Sequence, residues 1–354
     1  MDLEARISLI GEVGEEIITQ EDLAGLLATK STPIAYDGFE PSGKIHIAQG
    51  ILRQINVNKM TKAGCKFRLW VADWHAWANN KLGGDMPRIQ KAGEYMIEVW
   101  RAAGMDLDRV EFLWASDVMG EREYWDKVMK VAINTTLSRV LRCSQIMGRK
   151  ENDALQASQI FYPCMQAADI FHLDVDIAQL GMDQRKVNML AREIAPKLGF
   201  VKPVAVHHHM LMALTPLSNG AQGIDRKIEM KMSKSKPDSA IFMTDSKEDV
   251  DRKIKKAYCP EKIVEDNPVL EYNRYIIFEK FRDLTIERPP KFGGTVTFNS
   301  YAELEKSYVE GKLHPMDLKG ATSQKINELL EPVRKHFEKN AKARALLDEV
   351  NSFA

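Results

Sequence analysis

The 354-residue chain predicts an α/β protein, with a doubly wound parallel sheet first and a smaller, mostly helical region after it. Short, apolar, β-rich segments alternate with helical ones through the first part of the chain. That alternation calls for parallel strands joined by right-handed crossovers. After "KSKPDS" (234–239) the texture changes, and from about 246 onward the pattern is mostly helical. The first expected strand is "TPIAYDGF" (32–39). A helical segment, "KIHIAQGILRQINVNKMTKAG", follows it, with His46 entering the first turn. "KFRLWVAD" (66–73) is the second strand and "MPRIQKAGEYMIEVWRAAGM" the next helix. "DRVEFLWAS" (108–116) is the third strand, and "IERPPKFGGTVTFNS" (286–300) interrupts the later helices. The boundary is expected near 235–245.

Composition narrows the class. The chain is 44% hydrophobic and 8% aromatic, enough for real cores, and contains no apolar run of membrane-spanning length. Its start, "MDLEARISLIGEVGEE", lacks a basic-then-apolar leader pattern. Cys65, Cys143, Cys164 and Cys259 are scattered without a C-x-x-C pair, as expected of free thiols in a reducing compartment. A soluble, cytoplasmic protein is the expectation. Fifty basic residues balance fifty acidic ones, but the charge is uneven. Arg139, Arg142, Arg149 and Lys150 cluster without an acid, while 226–236 and 252–262 each carry a net +4. A solvated helix face has the same look as any one of these patches. Three of them on a neutral chain favour a polyanionic partner.

Ligands of open α/β sheets bind beyond the carboxyl ends of strands, where helix N-termini face anions. "GFEPSGKIHIAQG" (38–50) falls at such a place. Gly38 permits close approach, Pro41-Ser42-Gly43 makes a bend, and His46 follows. Further on, "KMSKS" (231–235) puts two lysines and two serines in a polar loop at the expected boundary, suited to closing over a triphosphate. In "IFYPCMQAADIFHL" (160–173), Tyr162, Gln166 and Asp169 are spaced to share one helical face among apolar neighbours. Pro163 starts or kinks that helix. In "GMDQRKVNMLAREI" (181–194), Gln184, Val187 and Ala191 share a face and aim an amide inward. The run "HHH" (207–209) reads as a strand end near a nucleotide site. Successive strand residues point to opposite faces, which disfavours a metal centre there.

The His46 turn followed by KMSKS resembles the two signatures of class I aminoacyl-tRNA synthetases. One departure stands out, for the family's His-Ile-Gly-His reads His46-Ile47-Ala48-Gln49 here, and Gln49 carries no charge. "AYDGFEPSGKIH", "VADWHAW", "KIKKAYCPEKIVEDNPVLEY" and "LHPMDLK" extend the resemblance to tyrosyl-tRNA synthetases of the archaeal and eukaryotic type, from about 30 to 335. The resemblance implies a Rossmann-like catalytic domain (1–235) with a connective insertion near 115–155, and a helical anticodon-binding domain (236–354). It implies that Tyr36 and Asp169 bracket a phenol hydroxyl, that Tyr162, Gln166 and Gln184 hold the amino group and carboxylate, and that Glu40 lies nearby. Gly38, Ser42, Gly43, His46, Gln49, Asp183, Lys231, Ser233 and Lys234 would hold ATP, with His46, Lys231 and Lys234 acting in catalysis. Arg139 and Arg142, together with Phe292, His314 and Asp317, would contact tRNA(Tyr). ATP would enter with Mg²⁺ as a substrate complex, without a resident metal, in a homodimer. The rival readings are a tryptophan-specific enzyme of the same fold, and a non-catalytic RNA-binding relative.

Overall fold

The computed structural model describes residues 1–147, 156–216, 232 and 237–353, with only the backbone at 145 and 146. Helices α1 (Leu3–Gly11) and α2 (Gln20–Thr29) flank the short strand β1 (Glu16–Ile18). Asp2 and Thr19 begin the helices, their side chains accepting from the N–H groups of Ala5 and Asp22. The first crossover unit is β2 (Ile34–Phe39), α3 (Arg53–Lys62) and β3 (Lys66–Val71). Next come α4 (Asp73–Ala78), α5 (Met86–Ala102) and β4 (Val110–Trp114). Helices α6 (Arg122–Ile133), α7 (Leu137–Cys143) and α8 (Ala157–His172) precede β5 (Ile177–Gly181), α9 (Arg185–Leu198) and β6 (Val204–His208). Beyond 237 lie α10 (Lys247–Lys256), the antiparallel pair β7 (Leu284–Ile286) and β8 (Val296–Phe298), α11 (Pro315–Lys339) and α12 (Ala341–Asn351).

The main sheet runs β1-β6-β5-β2-β3-β4, with every pair parallel except β1 against β6. The three expected strands are β2, β3 and β4. β5 was not anticipated, because a buried Gln179 interrupts its apolar run. β1 is only three residues long. Strand order reverses between β2 and β5, the arrangement that opens a crevice at the carboxyl ends. Their pairing is brief: Ala35 faces Ile177 and Tyr36 faces Ala178, after which β2 runs on to Phe39 and β5 to Gly181 unpaired with each other.

The segment after β2 departs from a continuous helix. His46 forms an antiparallel bridge with Phe242, and a π-helical turn (Ala48–Leu52) precedes α3. His46 therefore stands before the helix rather than in its first turn. The reason is pairing with a distant segment: Ile47 N–H donates to Ile241 O at 2.8 Å, and Met243 N–H to Ile45 O at 3.0 Å. Pro163 likewise sits inside α8, which starts six residues earlier at Ala157.

Two apolar clusters build the interior. One, which includes Tyr36, Trp70, Tyr124, Ala167 and Leu190, packs α6, α8 and α9. The other runs from Ile10 through Phe39, Val57 and Trp100 to Leu318, Val333 and Phe337, so it joins the sheet to the helices beyond 237. All four cysteines are free, and burial pushes the Cys65 thiol up to about 12. Among the described residues no helix is long and apolar enough to cross a membrane.

Candidate active site

A cavity of about 310 Å³ opens where β2 and β5 part. Tyr36, Gly38, Glu40, Ser42, His46, Gln49, Tyr162, Gln166, Asp169, Asp183 and Gln184 all line it, so most of the anticipated ligand set converges on one space. Met232 lines it as well, whereas Lys231, Ser233 and Lys234 lie outside the described residues. Gly43 lines no part of it. Its φ of +96° suits glycine and bends the chain toward His46. At Gly38 an added Cβ would come 2.9 Å from the Tyr36 hydroxyl, so the bare backbone keeps that hydroxyl's place open.

One part of the cavity is lined by buried hydroxyl and carboxylate groups. Tyr36 and Asp169 are almost wholly buried, on β2 and α8. Asp169 Oδ1 accepts from the Tyr124 hydroxyl at 2.8 Å. Asp169 Oδ2 stands 3.0 Å from His75 Nε2, an ion pair by distance but out of line for a hydrogen bond, so this oxygen has no hydrogen-bond partner among the described residues. Burial lowers the pKa of His75, but Asp169, with Glu40 and Asp73 behind it, outweighs burial and leaves it raised. Burial, then the Asp169 charge, pushes the Tyr36 and Tyr124 phenols well above 10, so both stay neutral hydroxyls.

The middle of the cavity is polar. Tyr162, Gln166 and Asp169 do share the inward face of α8, all buried, and Tyr162 meets the His75 ring edge-on at 5.2 Å. Gln166 Nε2 donates to Gln184 Oε1 at 3.1 Å, which ties α8 to the turn after β5. Glu40, nearer the mouth, accepts from Asn79 Nδ2 at 2.9 Å and pairs with Lys81 at 3.3 Å. Val187 and Ala191 are buried along α9, while Gln184 lies just before that helix.

Another part is formed by the turn after β5. Asp183 belongs to a single 3₁₀ turn, Met182–Gln184, directly after β5. A Cβ on Gly181 would come 2.7 Å from Asp183 Oδ1 and 2.6 Å from Met210 Sδ, so glycine lets these groups close over the strand end. On the floor, Arg53 pairs with Asp37. Burial, opposed by Arg53, pushes the Asp37 carboxyl up to about 7.

The three adjacent histidines diverge. His207 contacts Asn188 and Glu16, His208 contacts Gln179 and Arg53, and His209 pairs with Glu15 and Glu271. Among the described residues, no group of three or more His, Cys, Asp or Glu side chains could hold a metal ion. The residues anticipated for tRNA lie away from the cavity lining. Arg139 pairs with Glu193 at 2.8 Å, while Arg142 is exposed, and Arg149 and Lys150 lie outside the described residues. Phe292 is 59% exposed. His314 caps α11, its Nδ1 accepting from Met316 N–H at 3.1 Å, and Asp317 sits in that helix's first turn. Residues to which sequence reasoning gave no role are Tyr124 on α6, His75 on α4, within the quoted "VADWHAW", and Arg53 on α3.

A family model for class I tRNA synthetases (W and Y) matches residues 28–331. The chain is 51% identical to tyrosine--tRNA ligase 1, cytoplasmic, of Arabidopsis thaliana, over 99% of this chain and 89% of that protein. It is 44% identical to the tyrosine--tRNA ligase of Saccharolobus solfataricus, over 99% of this chain and 97% of that one. Its fold is similar to the tyrosyl-tRNA synthetase of Pyrococcus horikoshii complexed with L-tyrosine. The TM-score is 0.91 at 42% identity, over 98% of this chain and 100% of that one.

Proposed function

As the chain belongs to the class I tRNA synthetases of the tryptophan and tyrosine group, we propose that it acts as a tyrosine–tRNA ligase. The carboxylate of L-tyrosine attacks the α-phosphorus of ATP, pyrophosphate leaves, and the tyrosyl group passes from the adenylate to the 3′-terminal ribose hydroxyl of tRNA(Tyr). The observation that carries the choice of amino acid is the buried Asp169 Oδ2, left without a hydrogen bond beside Tyr36 at the closed end of the cavity. A phenol hydroxyl satisfies it. Phenylalanine offers nothing, and a buried acceptor left unmatched is costly.

The lining of the cavity supports the following residue roles. Tyr36 and Asp169 take the phenol. Tyr162, Gln166 and Gln184 hold the amino group and carboxylate, with Glu40 setting the charge nearer the mouth. Asp183 takes the ATP ribose. His46, the backbone around Gly38 and Ser42, and Gln49 face the phosphates, with Lys231, Ser233 and Lys234 closing over them. No general base is required, because an α-carboxyl group is already ionised at neutral pH. The work is to align two anions and to stabilise charge gathering at phosphorus. ATP enters as its Mg²⁺ complex, as substrate.

The catalytic part is read as 1–235 and the anticodon-binding part as 236–354, in a cytoplasmic homodimer. Met129, Ile133 and Leu137, all well exposed at the junction of α6 and α7, support a self-association surface. Phe292, His314 and Asp317 are read as anticodon contacts, and Arg139 with Arg142 as acceptor-stem contacts. The test is amino-acid-dependent ATP–pyrophosphate exchange with tyrosine, phenylalanine and tryptophan. Exchange with tyrosine is expected, and Asp169→Ala should lower it and erode selectivity over phenylalanine. Exchange with tryptophan alone, or none alongside normal tRNA binding, would overturn the assignment.

A further inference from the structure

Arg53 has no part in the reaction set out above, yet among the described cavity-lining lysines and arginines it is the most deeply buried, at 6% exposure. It is the first residue of α3, directly after the π-turn Ala48–Leu52, and four residues on from Gln49, which lines the same cavity. The guanidinium lies over the Phe39 ring, 4.8 Å from its centroid, beneath the parting of β2 and β5.

Its donors are incompletely used. Nη1 pairs with Asp37 and donates to Gln179 Oε1 at 3.2 Å. Nη2 stands 3.3 Å from His208 Nε2. Burial and the Arg53 charge push the pKa of His208 well below its ordinary value, so the ring is neutral and has one lone pair. Gln179 Nε2 approaches His208 Nδ1 more closely, at 2.8 Å, so it competes with Arg53 for that lone pair. Arg53 Nε has no hydrogen-bond partner among the described residues.

The charge around it is lopsided. The cavity lining carries four carboxylates, Asp37, Glu40, Asp169 and Asp183, against Arg53, Lys81 and His75, the last paired with Asp169. Lys81 is tied to Glu40 near the mouth. Arg53 feels both Asp37 and, across the crevice, Asp183. An ATP seated on Asp183 adds a triphosphate to this acidic space, and tyrosine adds a carboxylate. We propose that Arg53 is a nucleotide-positioning residue, which offsets the acidic floor between Asp37 and Asp183 and offers N–H donors to the ribose–phosphate end of ATP. The assignment rests on reading the cavity as an ATP site.

The experiment is tyrosine-dependent ATP–pyrophosphate exchange on the full chain, with ATP and tyrosine varied separately, beside thermal unfolding with and without ATP. The variants are Arg53→Gln, Arg53→Lys and the double variant Asp37→Asn/Arg53→Gln. Arg53→Gln should raise KM for ATP by about tenfold or more, as for loss of charged hydrogen bonds, and leave KM for tyrosine within about twofold. Arg53→Lys should recover much of the loss. The double variant leaves no unpaired buried carboxylate. It should unfold near the parent's temperature yet keep the raised KM for ATP. If the double variant restores KM for ATP, Arg53 serves only to partner Asp37 and the proposal fails. A matched rise in both KM values would also overturn it. A parent silent in exchange would count against the ligase reading instead. ATP stabilisation seen in that parent and lost in the double variant would still support the role of Arg53.

Discussion

Asp169 shows how one side chain's duties are divided. One oxygen is held by the Tyr124 hydroxyl, the other stands by His75 without a hydrogen bond, and both partners are buried. Tyr124→Phe would strip Oδ1 of its donor, and an unmatched buried acceptor costs about 1–3 kcal/mol. Urea unfolding should show that loss, and KM for tyrosine should rise as the carboxylate swings. His75 adds a pH dependence. Its pKa is raised in the fold, so its ion pair contributes fully below the unfolded value of about 6.5 and is lost as pH rises through the folded value. The stability gap between parent and His75→Asn should therefore be widest in mildly acidic solution and shrink toward alkaline pH. A gap that widens with pH would mean that His75 is neutral throughout. Tyr36, Tyr162, Gln166 and Asp169 were legible because helical spacing and a resemblance placed them together. Tyr124 and His75 were not, for they reach Asp169 from α6 and α4, and no local pattern encodes a contact across 45 residues of chain, for Tyr124, or about twice that, for His75. Arg53 was passed over although it stands four residues after Gln49 and seven after His46, a spacing that shares one helix face.

At the level of elements, close approach matters more than propensity. Helix α5 crosses the sheet at Gly93, where an added Cβ would lie 2.6 Å from the Trp114 ring and 2.9 Å from Val71 Cγ1. Gly93→Ala gains helix propensity but must push the half-buried Trp114 indole off β4. A net destabilisation of about 1–3 kcal/mol is expected, read by urea unfolding. Unchanged or higher stability would show that the helix shifts freely. Strands β2, β3 and β4 were readable because each is a β-rich run bounded by turn residues. β5 was not, since Gln179 serves the buried His208–Arg53 contacts rather than the strand pattern. The start of the first crossover helix was misplaced because residues 45–47 pair with 241–243, a contact made across nearly two hundred residues.

For the molecule as a whole, part of the charge visible in the sequence is taken up by the fold. In the basic segment 252–262, Arg252 is engaged by Asp238 and Asp249, and Lys253 is buried against Asp245 and Ala240 O, so both serve the fold. Phe292, by contrast, presents its ring to solvent with Lys291 beside it. Phe292→Ala should leave ATP–pyrophosphate exchange untouched and raise KM for tRNA about tenfold, in line with loss of one stacked base. An unchanged KM would remove it from the RNA surface. The expected boundary near 235–245 was placed from a change in texture, yet one apolar cluster runs from Ile10 to Val350. A fragment ending at the boundary would therefore be born with a raw, oily flank and would precipitate or recruit chaperones. For the same reason, a protease cutting near 240 would be expected to release not two stable halves but a nicked pair that stays together until denatured.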